Sequence, residues 1–116
     1  WSPDRVTLAG DAAHPMLPFL AQGANQGIED AVAVAHCLSN ANGDVAAALR
    51  RYQEVRIPRT AEVQQRSRSN TRTLHLPDGD AQRQRDAELG RQSDLPSQDW
   101  LWAYDPVAAV AAAAGS

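Results

Sequence analysis

The stretch "GDAAHPMLPFLAQGANQGIEDA", residues 10–31, decides how this chain is read. It sets a Gly-Asp pair, His14, Pro15, Pro18 and the glycines Gly23 and Gly27 ahead of a segment with helical periodicity. Just before it, Val6 to Ala9 make a short β-branched and apolar run closed by Gly10, the pattern of a buried strand entering a turn. Asp11 then stands at the carboxyl end of that strand. Over residues 12–23 the prolines fix their own φ and bias the residues before them, which predicts an extended, stiff loop. From about Ala24, the residues Ile28, Ala31, Val32, Ala35 and Leu38 recur at helical spacing. Glu29 and Asp30 fall near the expected helix start, where acids suit the macrodipole.

A strand, a Gly-Asp turn, a rigid loop and a Gly-rich helix entry make a receptor for a particular kind of ligand. The first turn of a helix offers unpaired N–H groups and a partial positive charge, here from Gly23, Ala24 and Asn25. Glycine at that point allows close approach, and an aspartate at a strand end accepts strong hydrogen bonds from hydroxyl groups. The combination suits a ligand with a polyol and an electron-poor ring. Asp11 alone could equally stabilise a turn, as aspartates at strand ends commonly do. The D-x-x-H spacing of Asp11 and His14 lacks a third ligand, so no metal is expected and His14 is read as a brace for the loop.

Further along, "SNANGD" breaks the helix, and Asp44 is placed to cap a second one carrying Val45, Ala48, Leu49, Tyr52 and Val55. Pro58 requires that helix to end or kink, and the polar text to Leu74 remains compatible with helix. Residues 50–72 hold seven arginines and two glutamates, read as a solvated helix face rather than a phosphate-binding one. Residues 77–99 are rich in turn formers, with one short helical candidate near 80–89. Trp100, Trp102 and Tyr104 are expected to pack in a core or interface. Two parts follow: residues 1–74, with two long helices and a kink near Pro58, and an irregular extension over 75–116 with an aromatic docking segment.

Composition narrows the classes. A chain of 116 residues with 43% hydrophobic content fits one small domain. The net charge of −3 excludes a bulk cationic surface for nucleic acid or anionic membrane. One cysteine, Cys37, cannot form an internal disulfide and reads as a small buried apolar group. No apolar run is long enough to span a bilayer, and no leader pattern opens the chain, so the cytoplasm is the expected compartment.

The residues "RVTLAGDAAHPMLPFLAQGANQGIEDA" closely resemble the second FAD-binding motif of the class A flavoprotein aromatic hydroxylases, the salicylate hydroxylase and para-hydroxybenzoate hydroxylase group. "RYQEVRIPRTAEVQQRSR" and "DWLWAYD" resemble later parts of the same family with less specificity. The resemblance implies an α/β FAD-binding, Rossmann-like fold of the para-hydroxybenzoate hydroxylase type, of which this chain is the mainly helical C-terminal part with one short strand. It implies that Gly10 and Asp11 lie at the ribityl chain, that Gln22, Gly23, Ala24 and Asn25 lie along the pyrimidine edge of the isoalloxazine, and that Pro15 and Pro18 pass its reactive side. It also implies a reaction in which NADH or NADPH reduces the flavin, oxygen adds as a flavin hydroperoxide, and a salicylate- or hydroxybenzoate-like substrate is hydroxylated. No residue of this chain is expected to act as a catalytic acid or base.

The G-x-G-x-x-G turn that holds the FAD pyrophosphate in that family does not occur in this sequence. The chain is therefore expected to need the N-terminal part of its own domain and to be inactive alone. Homo-oligomerisation is compatible with the pattern. A non-catalytic helical remnant that self-associates through apolar faces is the alternative reading.

Overall fold

Residues 23–39 and 45–74 form two long helices because their apolar positions recur at helical spacing and a tight turn separates them. The structure, a computed structural model, describes residues 1–91 and 98–114. Helix α1 spans Gly23–Ser39, α2 Val45–Leu74, α3 Asp80–Arg91, α4 Asp99–Trp102 and α5 Pro106–Ala114. The α1–α2 turn carries Asn42 and Gly43 at positive φ, and the Asp44 carboxylate caps α2 by accepting the Ala47 N–H at 2.9 Å. Asp30 meets Arg56 near one end of the pair, whereas Cys37 clusters with Ala48 near the other, so α1 and α2 run antiparallel.

The core between them is small. Ala33, Cys37, Ala48, Tyr52 and Val110 form it, flanked by Trp1, Val34, Ala41 and Val55. Alanines at the contact let the helices approach closely, and α5 lies across both. The radius of gyration is 17.8 Å, against about 13 Å for a compact chain of this length. The shape is drawn out because the far half of α2 has few apolar partners: Val63 is its one fully buried aliphatic residue.

Several expectations are corrected. No strand occurs among the described residues. Residues 6–9 pair with no other segment among the described residues, and a strand exists only with a ladder partner. Local bonds replace the ladder: Val6 N–H donates to the Pro3 carbonyl and Leu8 N–H to that of Trp1, both at 3.2 Å. Val6 and Leu8 are left exposed. The loop that follows is not extended throughout, because single 3-10 turns form at Gly10–Ala12 and Pro18–Leu20.

Helix α2 does not end at Pro58. Pro58 is exposed, so the Glu54 carbonyl that loses its helical donor can reach water. The 75–116 extension is more regular than its turn formers imply, containing α3, α4 and α5. Residues 92–97 of the segment read as irregular, and the last two residues of the alanine-rich tail, lie outside the described residues.

The Asp44 cap generates a direct test. Asp44→Ala is expected to cost about 1 kcal/mol of stability, read as a lower denaturant midpoint at unchanged slope. Asp44→Asn should retain most of that stability, and an equal loss from both substitutions would contradict the cap.

Candidate functional site

The loop and the start of α1 meet at Asp11. The chain turns at Gly10, whose φ of +58° is a left-handed conformation suited to glycine. The Gly10 carbonyl accepts from both Ala13 N–H and His14 N–H at 2.9 Å, closing the turn around Asp11. Asp11 is exposed, and a Cβ placed on Gly23 would lie 3.8 Å from its Oδ1. That separation is ordinary contact, so Gly23 does not have to be glycine to clear Asp11. It does put the carboxylate beside the first residue of α1.

No side chain caps α1, and no acid lies in its first turn. Its leading N–H groups, from Gly23, Ala24 and Asn25, therefore have neither an intrahelical nor a capping acceptor. Ala24 and Asn25 are exposed. Gln22 is buried, and its Nε2 has no hydrogen-bond partner among the described residues. Ala21, immediately before, holds φ +52°, a conformation costing an alanine roughly 1–2 kcal/mol. Strain of this kind concentrates at ligand-facing turns. The structure thus brings Gly10, Asp11, Gln22, Gly23, Ala24 and Asn25 to one place. Pro18 stands apart, in the turn that packs on α2.

That turn is held by a polar edge of α2. Gln64 donates to the Pro15 carbonyl at 2.8 Å, Ser67 to that of Leu17 at 2.6 Å, and Asn70 to that of Phe19 at 3.1 Å. Every third helix residue meets every second loop residue. The polar character of this half of α2 is thereby used on the loop side, not only toward solvent.

Beneath the Gly-Asp turn lies a buried charge network. Asp30 is 0% exposed. Its Oδ2 accepts Gly10 N–H at 2.8 Å and His14 Nε2 at 2.5 Å, and its Oδ1 accepts Arg56 Nε at 2.8 Å. An acceptor carboxylate at that distance places the imidazole proton on Nε2. Arg56, also 0% exposed, donates further to Glu29 Oε2 at 2.6 Å and to Gln26 Oε1 at 2.9 Å. Arg59 pairs with Glu29 and donates to the carbonyls of Trp100 and Leu101 at 2.7 and 2.9 Å.

These contacts correct two readings and narrow a third. Glu29 and Asp30 do not serve the start of α1, because the helix begins at Gly23 and they face α2 instead. Residues 50–72 are not a uniformly solvated face, since Arg56 and Arg59 are buried. Of the core or interface expected for the aromatics, the interface is what forms: Trp102 is 65% exposed, while Trp100 and Tyr104 stack on arginines of α2, with Tyr104 4.3 Å from Arg59 and Trp100 3.9 Å from Arg66. Leu101 is the buried residue of that segment. A signal for the buried arginines is present in the sequence, because Leu49, Tyr52, Arg56, Arg59, Val63 and Ser67 share one helical stripe.

A cleft of about 450 Å³ lies elsewhere, between the C-terminal half of α1, the start of α2 and α5, lined by Cys37, Ala48, Arg51 and Val110 among others. It does not include the Gly-Asp turn, whose open arrangement forms one edge of a cradle rather than an enclosed pocket. Among the described residues no group of three or more His, Cys, Asp or Glu is placed to hold a metal ion. No helix there is long and apolar enough to cross a membrane.

Burial alone would raise the Asp30 pKa, but the hydrogen bonds from His14, Gly10 and Arg56 outweigh it and hold the carboxyl below its ordinary 3.8. For Arg56, burial opposes the charge and the carboxylates of Asp30 and Glu29 outweigh it, so it stays protonated. A depressed carboxyl pKa gives stability that is complete above the unfolded value and disappears as pH falls through the folded value. The unfolding free energy should therefore decline as pH drops below 3.8. Asp30→Asn should be less stable near neutrality and lose less on acidification; parallel acid profiles for the two proteins would contradict the assignment.

Comparison with known proteins bears on this geometry. Residues 1–67 match the family model described as FAD binding domain. The chain is 51% identical over 105 residues to 3-amino-4-hydroxybenzoate 2-monooxygenase PtnB3 of Streptomyces platensis, covering 90% of this chain and 26% of that protein. It is 40% identical over 105 residues to 3-hydroxybenzoate 6-hydroxylase 1 of Aquipseudomonas alcaligenes, with the same shares covered. The crystal structure of CtdE in complex with FAD and substrate 4 superposes with a TM-score of 0.77 at 30% identity, covering 94% of this chain and 25% of that one. The chain thus spans about a quarter of the length of the relatives it matches. Residues 1–67 take in the Gly-Asp turn, the loop, α1 and the buried Asp30–Arg56 pair, and the chain belongs to the FAD binding domain family.

Proposed function

We propose that the protein carrying this chain is an FAD-dependent monooxygenase that hydroxylates a hydroxybenzoate-like aromatic acid with NADH or NADPH and O2. The observation that carries the reading is the meeting of the exposed Asp11 carboxylate with the uncapped start of α1 at Gly23. The names of the relatives, an aminohydroxybenzoate monooxygenase and a hydroxybenzoate hydroxylase, supply the substrate class.

The residues present fit the isoalloxazine and ribityl portions of FAD. Asp11 accepts hydrogen bonds from ribityl hydroxyls at the Gly10 turn. The N–H groups of Gly23, Ala24 and Asn25 at the uncapped start of α1, with Gln22 just before them, would meet a negative pyrimidine edge. Such donors are already oriented, so no reorganisation is needed as charge develops there. The loop with Pro15 and Pro18, moored to α2 by Gln64, Ser67 and Asn70, walls the reactive side and excludes water. When bound, FAD supplies the redox and oxygen-activating chemistry; the chain supplies position and polarity.

The fold in this reading is the Rossmann-like para-hydroxybenzoate hydroxylase type. Residues 6–9, with Val6 and Leu8 exposed here, join a sheet formed by the rest of the domain, and Ile28 and Val32 of α1, also exposed, pack against it. The compartment in this reading is the cytoplasm.

The test uses the full-length protein. It should purify yellow, release FAD on denaturation, and consume NADH or NADPH faster when 3-hydroxybenzoate or 3-amino-4-hydroxybenzoate is added, with a hydroxylated product. Asp11→Ala should weaken FAD binding on the order of tenfold or more, the scale of a lost charge-assisted hydrogen bond. Undiminished flavin content and affinity in that variant would remove Asp11 from the ribityl site. A flavoprotein that no hydroxybenzoate stimulates would remove the substrate class.

A further inference from the structure

We propose that Asp30 is a positioning residue for the flavin site: through Gly10 and His14 it sets the Gly-Asp turn and thereby the direction of the Asp11 carboxylate. This rests on the FAD reading above and adds to it a residue that lies beneath the turn rather than on its ligand-facing side.

The geometry is specific. Asp11 lies between two residues, Gly10 and His14, that both donate to one oxygen of Asp30, at 2.8 and 2.5 Å. The same two residues are tied together by the bond from His14 N–H to the Gly10 carbonyl. The stretch that aims Asp11 is thus fixed at both ends to one buried atom. The other oxygen of Asp30 is held by Arg56 at 2.8 Å, and Arg56 is itself held by Glu29 and Gln26. The carboxylate therefore has no freedom to turn.

The network is an expensive way to join two helices. Buried ion pairs cost several kcal/mol of desolvation per ion, and apolar residues of similar volume often stabilise a fold as well or better. What a buried carboxylate can do and an apolar contact cannot is hold a backbone N–H and an imidazole in a set direction. Its place directly under the Gly-Asp turn identifies the group it holds.

Asparagine isolates the effect, because it matches aspartate in shape but has one acceptor oxygen and one donor NH2. Turned either way, the amide of D30N sets its NH2 against Arg56 Nε–H or against Gly10 N–H and His14 Nε2–H. In the full-length protein, D30N should weaken FAD binding on the order of tenfold to a hundredfold. It should also shift the visible band of the bound flavin and speed hydrogen exchange over residues 10–14 in the apoprotein. V63A, which truncates a fully buried side chain outside the network, should lower thermal stability yet leave FAD affinity and spectrum unchanged.

If D30N fails to fold, H14L removes one donor and leaves the Asp30–Arg56 pair intact, and it should weaken FAD in the same direction, with H14Q restoring part of the loss. Native FAD affinity and spectrum in the folded Asp30 or His14 variant would overturn the proposal, as would an equal loss of FAD in V63A. An unsubstituted protein that takes up no FAD would overturn the flavin reading itself. Unchanged exchange over residues 10–14 in D30N would overturn the positioning role while leaving that reading intact.

Discussion

The buried pair of Asp30 and Arg56 is the constraint on which the rest of the structure depends. Neither side chain is exposed to water, and each could remain charged only by filling its hydrogen-bonding capacity from the protein. Arg56 takes Asp30, Glu29 and Gln26, all from α1. Asp30 takes Arg56 from α2 and Gly10 and His14 from the loop. Satisfying two charges thereby fixes the register of α1 on α2 and the seat of the turn upon both. The apolar core beyond, built on Ala33, Cys37, Ala48, Tyr52 and Val110, closes the helix pair.

The loop is held from two sides by different chemistry. At its start a carboxylate accepts from Gly10 and His14; farther on, side chains of α2 donate to the carbonyls of Pro15, Leu17 and Phe19. Pro15 and Pro18 each remove a backbone donor from the loop, and three of its carbonyls are met by side chains from outside it. The polar second half of α2 does this. Arg59 extends the network to the carbonyls of Trp100 and Leu101, so the C-terminal segment rests on the same group of charges as the turn. The aromatic rings there cover arginines rather than filling a core, which accounts for an aromatic-rich segment with only Leu101 buried.

Part of this is legible in the sequence. The periodicity of Ile28 to Leu38, the Asn-Gly break and the Asp44 cap are local signals, and α1, the turn and the start of α2 stand where those signals put them. The resemblance carried by residues 5–31 leads to the family. What is not legible depends on partners distant in sequence. Residues 6–9 have strand composition but no ladder partner among the described residues, and composition does not reveal that. Arg56 and Arg59 look like surface residues by type, and only their place on the stripe of Tyr52 and Val63 hints at burial. The helix dipole offers Glu29 and Asp30 a local role, whereas their partners lie on α2, and their spacing from Arg56 exceeds any local rule. The Gln64, Ser67 and Asn70 edge reads simply as polarity, because nothing in a helix sequence marks the carbonyl that a side-chain donor will reach.

The central claim is that a buried carboxylate holds an exposed one where it meets FAD. A crystal structure of the full-length protein with FAD bound tests it most directly. The account predicts a ribityl hydroxyl within hydrogen-bonding distance of Asp11, the first N–H groups of α1 facing the pyrimidine edge, and Asp30 still joined to Gly10, His14 and Arg56. A flavin whose ribityl chain is held by other residues while Asp11 faces solvent would contradict it.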